Sequence, residues 1–315
     1  MDLYSVGEMV IDFLPGKESD SYIRNAGGAP ANAAIAVARN GLNAGMCCKV
    51  GDDDFGRFLI QTLKENNVTV LCPETSKTAT TTMAFVTLLE NGERSFTFAR
   101  KPGADMLLST DDIKEEDIAA SKIIHAGSCS LSAESADTAT RKALKLGHEM
   151  QKLVSFDVNY RNLLWNDDIQ AATDKVLEIL PFVDLLKISE EEVEMLGGET
   201  NIPTFMKKFG ITAVVETLGK RGAKCFFCSN VLFSQAEPGD AVDATGAGDA
   251  FWGGFLSRLL MRGVASPGQL TESILQEAMR YGNISGALCV KTKGAISSLP
   301  TRDEIENYIR NEASL

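Results

Sequence analysis

Apolar residues fall into short runs separated by longer stretches with helical spacing, and the two patterns alternate nearly from end to end. Residues 3–13 read as a first strand, interrupted by Gly7, Glu8 and Asp12, and residues 14–24 are polar and turn-rich. An alanine-rich helix then runs to Gly41, followed by a strand over 44–50 and an amphipathic helix over 55–66. Short strands at 122–126, 153–157, 183–188 and 213–217 alternate with helices over 135–150 and 169–180. Residues 223–228 and 231–234 read as a hairpin, and helices follow near 251–262, over 270–288 and from 302. Such alternation predicts an α/β fold with a mostly parallel central sheet and helices on both faces.

One segment breaks the alternation. Residues 78–98 are rich in β-branched and aromatic residues, and Asn91-Gly92 between two alternating runs is a hairpin signal. The expectation is a single domain over 1–315 carrying a small β-sheet lid formed from about 13–24 and 78–105.

The chain of 315 residues carries a net charge of −12, which argues against nucleic-acid or anionic-membrane partners. No apolar run approaches the roughly 20 residues of a membrane span. The opening MDLYSVGEMVIDF starts with an acid and lacks a basic region, so it does not read as a signal peptide. The seven scattered cysteines suit a reducing compartment, and the expectation is a cytoplasmic protein. Cys225 and Cys228 form one CxxC in a strand-like run, with no second pair and only two histidines in the chain, so a metal or redox role is disfavoured.

The chemistry concentrates in Asp243–Phe255, DATGAGDAFWGGF. Gly246, Ala247 and Gly248 read as a turn opening a helix, with Asp249 in its first turn. Free N–H groups and the helix dipole make such a start an anion site. A carboxylate beside a bound phosphate is badly placed for binding alone. It is well placed to take a proton from a hydroxyl attacking that phosphate. The plain alternative is a loop feeding a buried helix, with Asp249 favouring the dipole. Near the N-terminus, Gly27-Gly28 precedes the alanine-rich helix, and Asn32 lies one turn in, where its amide reaches the same place as the free N–H groups. Asp12 is either a solvent-facing strand end or a ligand contact. Leu218–Ala223 is a basic glycine turn suited to nucleotide phosphates. Residues 189–192, Ser-Glu-Glu-Glu, read as opening a helix. P-loop, dinucleotide and nucleophile-elbow motifs are missing.

Together, the Gly27-Gly28 segment with Asn32 and the Asp243-x-x-Gly246-Ala247-Gly248-Asp249 segment resemble the two signatures of the ribokinase-like (PfkB) carbohydrate kinases, and the resemblance spans essentially the whole chain. GGAPAN, the run from Asp157 to Arg161 and KISEEE at 187–192 are most similar to fructokinases. The resemblance implies a kinase transferring the γ-phosphate of ATP to a primary sugar hydroxyl, with Mg2+ and a monovalent cation, K+ by expectation. Asp249 is implied as the base, with Gly246, Ala247 and Gly248 as the anion hole. Asp12, Gly28 and Asn32 are implied sugar contacts, and Arg100 and Arg161 contacts for the sugar or its phosphate. Lys187, Glu192, Thr217, Gly219 and Gly222 match the metal–nucleotide phosphate region, although Ser189 stands where the family's motif has asparagine. Asn283, Gly286 and Ala287 fall where the adenine is walled. Asp243, Thr245, Gly294 and Ser298 match a monovalent-cation site. The same chemistry on 2-keto-3-deoxygluconate, ribose or a nucleoside is the nearest alternative. A non-catalytic sugar-binding protein and a dehydrogenase are alternatives of another class. An exposed lid edge suggests a homodimer paired through the lids.

Overall fold

The computed structural model describes residues 1–16, 18, 20–88 and 94–312. In chain order the first half holds β1 (Leu3–Val6), β2 (Val10–Pro15), β3 (Tyr22–Gly27), α1 (Ala29–Arg39), β4 (Ala44–Cys47), α2 (Asp54–Glu65), β5 (Thr69–Val70), β6 (Met83–Leu88), β7 (Arg94–Ala99), α3 (Glu115–Ala119), β8 (Ile123–Gly127) and α4 (Glu134–Glu149). The second half holds β9 (Leu153–Asp157), α5 (Ile169–Ile179), β10 (Leu185–Ser189), α6 (Ile202–Phe209), β11 (Ala213–Thr217), β12 (Ala223–Phe227), β13 (Asn230–Ser234), α7 (Ala247–Met261), α8 (Glu272–Cys289), α9 (Ala295–Ser298) and α10 (Arg302–Glu312).

Nine of these strands form one sheet in the order β13-β12-β11-β10-β9-β8-β1-β4-β5. Its pairs are parallel except β11–β12 and β12–β13, the hairpin at one edge. Successive residues of the inner strands feed two separate cores. Leu3, Ile123, Leu153, Leu185 and Ala213 join α1, α7 and α8 on one face. Tyr4, Ile124, Val154, Leu186 and Val214 join α4, α5 and α6 on the other. Both faces of the sheet are therefore covered, which is why its strands read as nearly continuous apolar runs.

The first strand is two strands. Residues 3–13 divide into β1 in the large sheet and β2 in a second sheet of order β3-β2-β6-β7. Periodicity cannot reveal this division, because both pieces are apolar and the chain changes sheet with only three residues between them. Residues 14–24, polar and turn-rich but expected to join the small sheet, contribute the end of β2 and the start of β3. β2 pairs antiparallel with β3 and parallel with β6, and β6 pairs antiparallel with β7. The expected Asn91-Gly92 turn lies outside the described residues. Phe13 stacks on Phe85 at 4.9 Å and meets Phe55 of α2 edge-on at 5.7 Å, so one face of the small sheet is packed onto the body of the molecule.

Candidate active site

A cleft of about 710 Å³ opens between the small sheet and the C-terminal ends of the parallel strands. Val10, Asp12, Ala84 and Phe98 line it from the small sheet. Gly28 and Asn32 of the α1 start, Asn159 and Arg161 beyond β9, and Thr245, Gly246 and Asp249 line the opposite side. Ligand sites in open α/β sheets lie at this edge.

Local geometry explains how α1 enters. Gly28 caps the helix at φ 114°, and a Cβ there would stand 2.5 Å from the Glu8 carbonyl oxygen. A Cβ on Gly27 would stand 2.1 Å from Asp12 Oδ2. The two glycines thus let the chain pass the Asp12 carboxylate and turn into the helix. Asn32 is buried, and its Nδ2 donates to Asp249 Oδ2 at 2.7 Å.

Asp249 lies in the first turn of α7, behind Gly246, which caps the helix at φ 77°. The Ala247 N–H donates back to Ala244 O at 3.2 Å. The N–H groups of Gly248 and Asp249 have no acceptor within the helix, which makes this helix start suited to an anion. Lys187 adds a full positive charge: its Nζ is 3.8 Å from where a Gly248 Cβ would stand. It is buried and pairs with Asp157 Oδ2 at 2.7 Å. Burial works against its charge, and Asp157 and Glu192 more than offset that, holding its pKa above the ordinary lysine value. Burial raises the Asp249 pKa, with Asp157 adding to the rise, while Asn32, Lys187 and Arg161 hold it down. Asp12 is pushed up to about 6 by burial and by the Asp249 charge, with Arg161 opposing. The result is a buried carboxylate beside a helix start that carries partial positive charge.

Glu192 does not open a regular helix. Its Oε1 accepts from Tyr160 N at 2.7 Å and its Oε2 from Ser189 N at 2.8 Å, and a single 3-10 turn over Val193–Leu196 follows. Ser189 thus holds Glu192 through its backbone, whatever its side chain. Asp157 Oδ1 is buried with no described hydrogen-bond partner.

The basic glycine turn joins β11 to β12, with Thr217 at the strand end and Gly219 and Gly222 at positive φ. On α8, the Asn283 amide donates to Ser234 O, Ser234 Oγ and Gln235 O, each at 3.0 Å, so it clamps the end of β13. Gly286 lets α8 approach the start of α7, where its Cβ would meet Ala247 O at 3.4 Å. Ala287 lies on the same partly buried turn. Asp243 is buried, accepts from Thr245 N at 3.0 Å and Thr245 Oγ1 at 2.7 Å, and takes the Gly294 N–H at 3.1 Å. Ser298 Oγ donates to Gly294 O, which brings all four expected cation-site residues together.

A family model described as pfkB family carbohydrate kinase matches residues 2–302. The chain belongs to that family. It is 39% identical to fructokinase-1 of Zea mays, over 97% of this chain and 96% of the relative. The solved fructokinase of Xylella fastidiosa with bound ATP superposes with a TM-score of 0.90 at 26% identity, covering 99% of each chain. The fructokinase of Vibrio cholerae O395, solved with fructose, ADP and calcium ion, gives 0.85 at 32% identity, covering 98% of each. The ribokinase-like architecture expected from the sequence is the one found, a large mostly parallel sheet with a small second sheet.

For this carbohydrate kinase the expected sugar-side residues converge on the cleft with one exception. Arg100 does not line it. Its Nε and Nη2 bind Asp105 Oδ2 at 2.9 and 2.7 Å, and its Nη1 donates to Ser132 Oγ at 3.0 Å. Thr82 Oγ1 also donates to Asp105, so one buried carboxylate fastens the residues bordering β6 and β7. The family resemblance implied a sugar contact for Arg100; the Asp105 charge five residues on claims it instead. Glu8, Asn159 and Cys129 line the cleft and were not expected to. Glu8 carried a usable signal, a second acid in the same apolar run as Asp12.

Proposed function

We propose that the chain is an ATP-dependent fructokinase in which Asp249 is the catalytic base. The observation that carries this reading is the Asp249 carboxylate at a glycine-turn helix start, hydrogen-bonded to Asn32 and facing the same cleft as Asp12. Asp12, Gly28, Asn32 and Arg161 bind the sugar. Its primary hydroxyl oxygen attacks the γ-phosphorus, the hydroxyl proton passes to Asp249 Oδ, and the bond from the γ-phosphorus to the bridging oxygen breaks to release ADP. The N–H groups of the α7 start and the Lys187 ammonium stabilise charge on the transferring phosphoryl. Thr217, Gly219 and Gly222 cradle the distal phosphates, and Asn283, Gly286 and Ala287 wall the base. The small sheet acts as a lid that excludes water and limits hydrolysis of ATP.

The residues present fit two cations. Asp157, with an unpartnered buried oxygen, and Glu192 are the carboxylates that would hold magnesium, a hard ion suited to oxygen donors. Magnesium would neutralise phosphate charge. Asp243, Thr245, Gly294 and Ser298 form an all-oxygen loop cluster suited to potassium. Tyr22 and Ile23 of the edge strand β3 are 48% and 56% exposed, which supports pairing of two copies through their lids. A monomeric mass by light scattering would refute that pairing.

The test is ADP release against fructose, ribose, 2-keto-3-deoxygluconate, adenosine and glucose, with magnesium and potassium present. Turnover on fructose that collapses in Asp249→Asn is the expected result. Turnover on another sugar discards fructose and keeps the chemistry. No turnover overturns the kinase reading.

A further inference from the structure

Three polar residues stand in a row across the interior of the large sheet. Ser5 of β1, His125 of β8 and Ser155 of β9 are register partners, Ser5 opposite His125 and His125 opposite Ser155. All three are buried, and all sit two residues beyond Leu3, Ile123 and Leu153, so they face α1 and α7. Two of them reach those helices. Ser5 Oγ donates to Pro30 O at 2.8 Å, two residues before Asn32. Trp252 Nε1 donates to Ser155 Oγ at 3.0 Å, three residues after Asp249. Ser155 Oγ also lies 3.1 Å from His125 Nδ1. Burial lowers the His125 pKa to about 4, so the ring is neutral near pH 7.

α7 is apolar nearly all round, with Phe251, Trp252, Phe255, Leu256, Leu259 and Leu260 all buried. A helix that is hydrophobic all round is buried, and no solvent-facing stripe sets its rotation. Its glycines bring it close to α1 and α8, where a Gly253 Cβ would stand 2.4 Å from Ala36 Cβ and a Gly254 Cβ 2.8 Å from Ser285 Cβ. A directional bond from its core side chain to a fixed strand supplies what apolar packing does not, as buried polar pairs do elsewhere for register. That strand is the one that ends in Asp157, which holds Lys187.

We propose that Ser155 is a positioning residue for phosphoryl transfer: through Trp252 it sets the rotation of α7, and so the place of Asp249 relative to the Asp157–Lys187 pair. This rests on Asp249 being the base. A displacement of about 1 Å at a reacting group costs up to roughly 100-fold in rate. Ser155→Ala and Trp252→Phe are therefore each expected to lower kcat about 10- to 100-fold while both substrates' KM values change little. The double variant falls no further, since both changes cut the same link.

The experiment measures kcat, both KM values and thermal unfolding for these variants beside Asp249→Asn and Ser257→Ala. Ser257 is a buried serine of the same helix that donates to Gly253 O at 2.6 Å and lies off the link; its variant is expected to keep wild-type kcat. Loss of kcat in Ser155→Ala and Trp252→Phe, non-additive and at temperatures where both are folded, supports the proposal. Wild-type kcat in both variants overturns it, even if they melt earlier, and so does additivity in the double. If Asp249→Asn keeps its rate, the base assignment fails instead. If Ser155→Ala does not fold, Trp252→Phe decides, since it leaves the Ser155–His125 contact in place.

Discussion

Asn32 and Asp249, 217 positions apart in the chain, meet through one hydrogen bond of 2.7 Å that joins the starts of α1 and α7. The bond favours the ionised carboxylate, against the burial that raises its pKa. Removing the amide in Asn32→Ala lets that pKa climb, so less of the base form exists at a given pH. The acid limb of the kcat profile should move to higher pH, and kcat/KM for the sugar should fall roughly 10- to 100-fold near neutrality, as for loss of a bond to a charged group. Paired pH–rate profiles check this; a limb that stays put or moves down contradicts it.

The two glycines of the β11–β12 turn should differ sharply. Gly222 is at φ 106°, and a Cβ there would stand 2.1 Å from Ser234 O, a backbone atom with no freedom to move aside. Gly219 is at φ 56° with nothing within 4 Å. Gly222→Ala should cost about 1–3 kcal/mol or more in stability and raise the ATP KM more than the sugar KM. Gly219→Ala should cost only the left-handed backbone strain, about 1–2 kcal/mol. Urea unfolding and initial-rate kinetics on both variants test the contrast.

Arg100 and Arg161 should separate structure from binding. Arg100 and Asp105 form a buried pair, 8% and 2% exposed in their side chains. Arg100→Ala strands the Asp105 charge, so a stability loss of about 3–5 kcal/mol is expected, with the sugar KM changed less than in Arg161→Ala. Arg161 lines the cleft, and its alanine variant should raise the sugar KM while the melting temperature holds. Thermal melts beside sugar titrations decide; the reverse pattern returns Arg100 to the sugar.

Much of this was legible in the sequence because it is local. The helix start at Gly246–Asp249 is written in contiguous residues, and the strands ending at Asp157 and Thr217 were placed to the residue. What was hidden depends on partners far along the chain. The division of residues 3–13 between two sheets is a tertiary choice that no period records. The Asp105 anchor of Arg100, the backbone clamp made by Asn283 and the Ser5–His125–Ser155 row exist only once the strands are in register. The Ser-Glu-Glu-Glu run read as a helix cap; Glu192 does accept the Ser189 N–H three residues back, but only a 3-10 turn follows, and its other oxygen takes the Tyr160 N–H from beyond β9.

Glu8 should make stability depend on pH in a direction opposite to that of an ordinary ion-paired carboxylate. It is buried; its Oε1 accepts from Ala29 N at 3.2 Å, and its Oε2 has no described partner. Burial, above all, pushes its pKa up to about 7, from an ordinary value of 4.5. Between those values the folded protein holds a proton that the unfolded chain has lost. Stability from this group is complete below pH 4.5 and is lost as pH rises through about 7. Glu8→Gln keeps an acceptor for the Ala29 N–H and cannot ionise. Its stability relative to wild type should therefore improve by roughly 1–3 kcal/mol between pH 5 and pH 8, whatever the offset at pH 5. Urea unfolding of both proteins at the two pH values measures that change, and a difference that is flat or of opposite sign would mean that Glu8 is already ionised and partnered in the folded state.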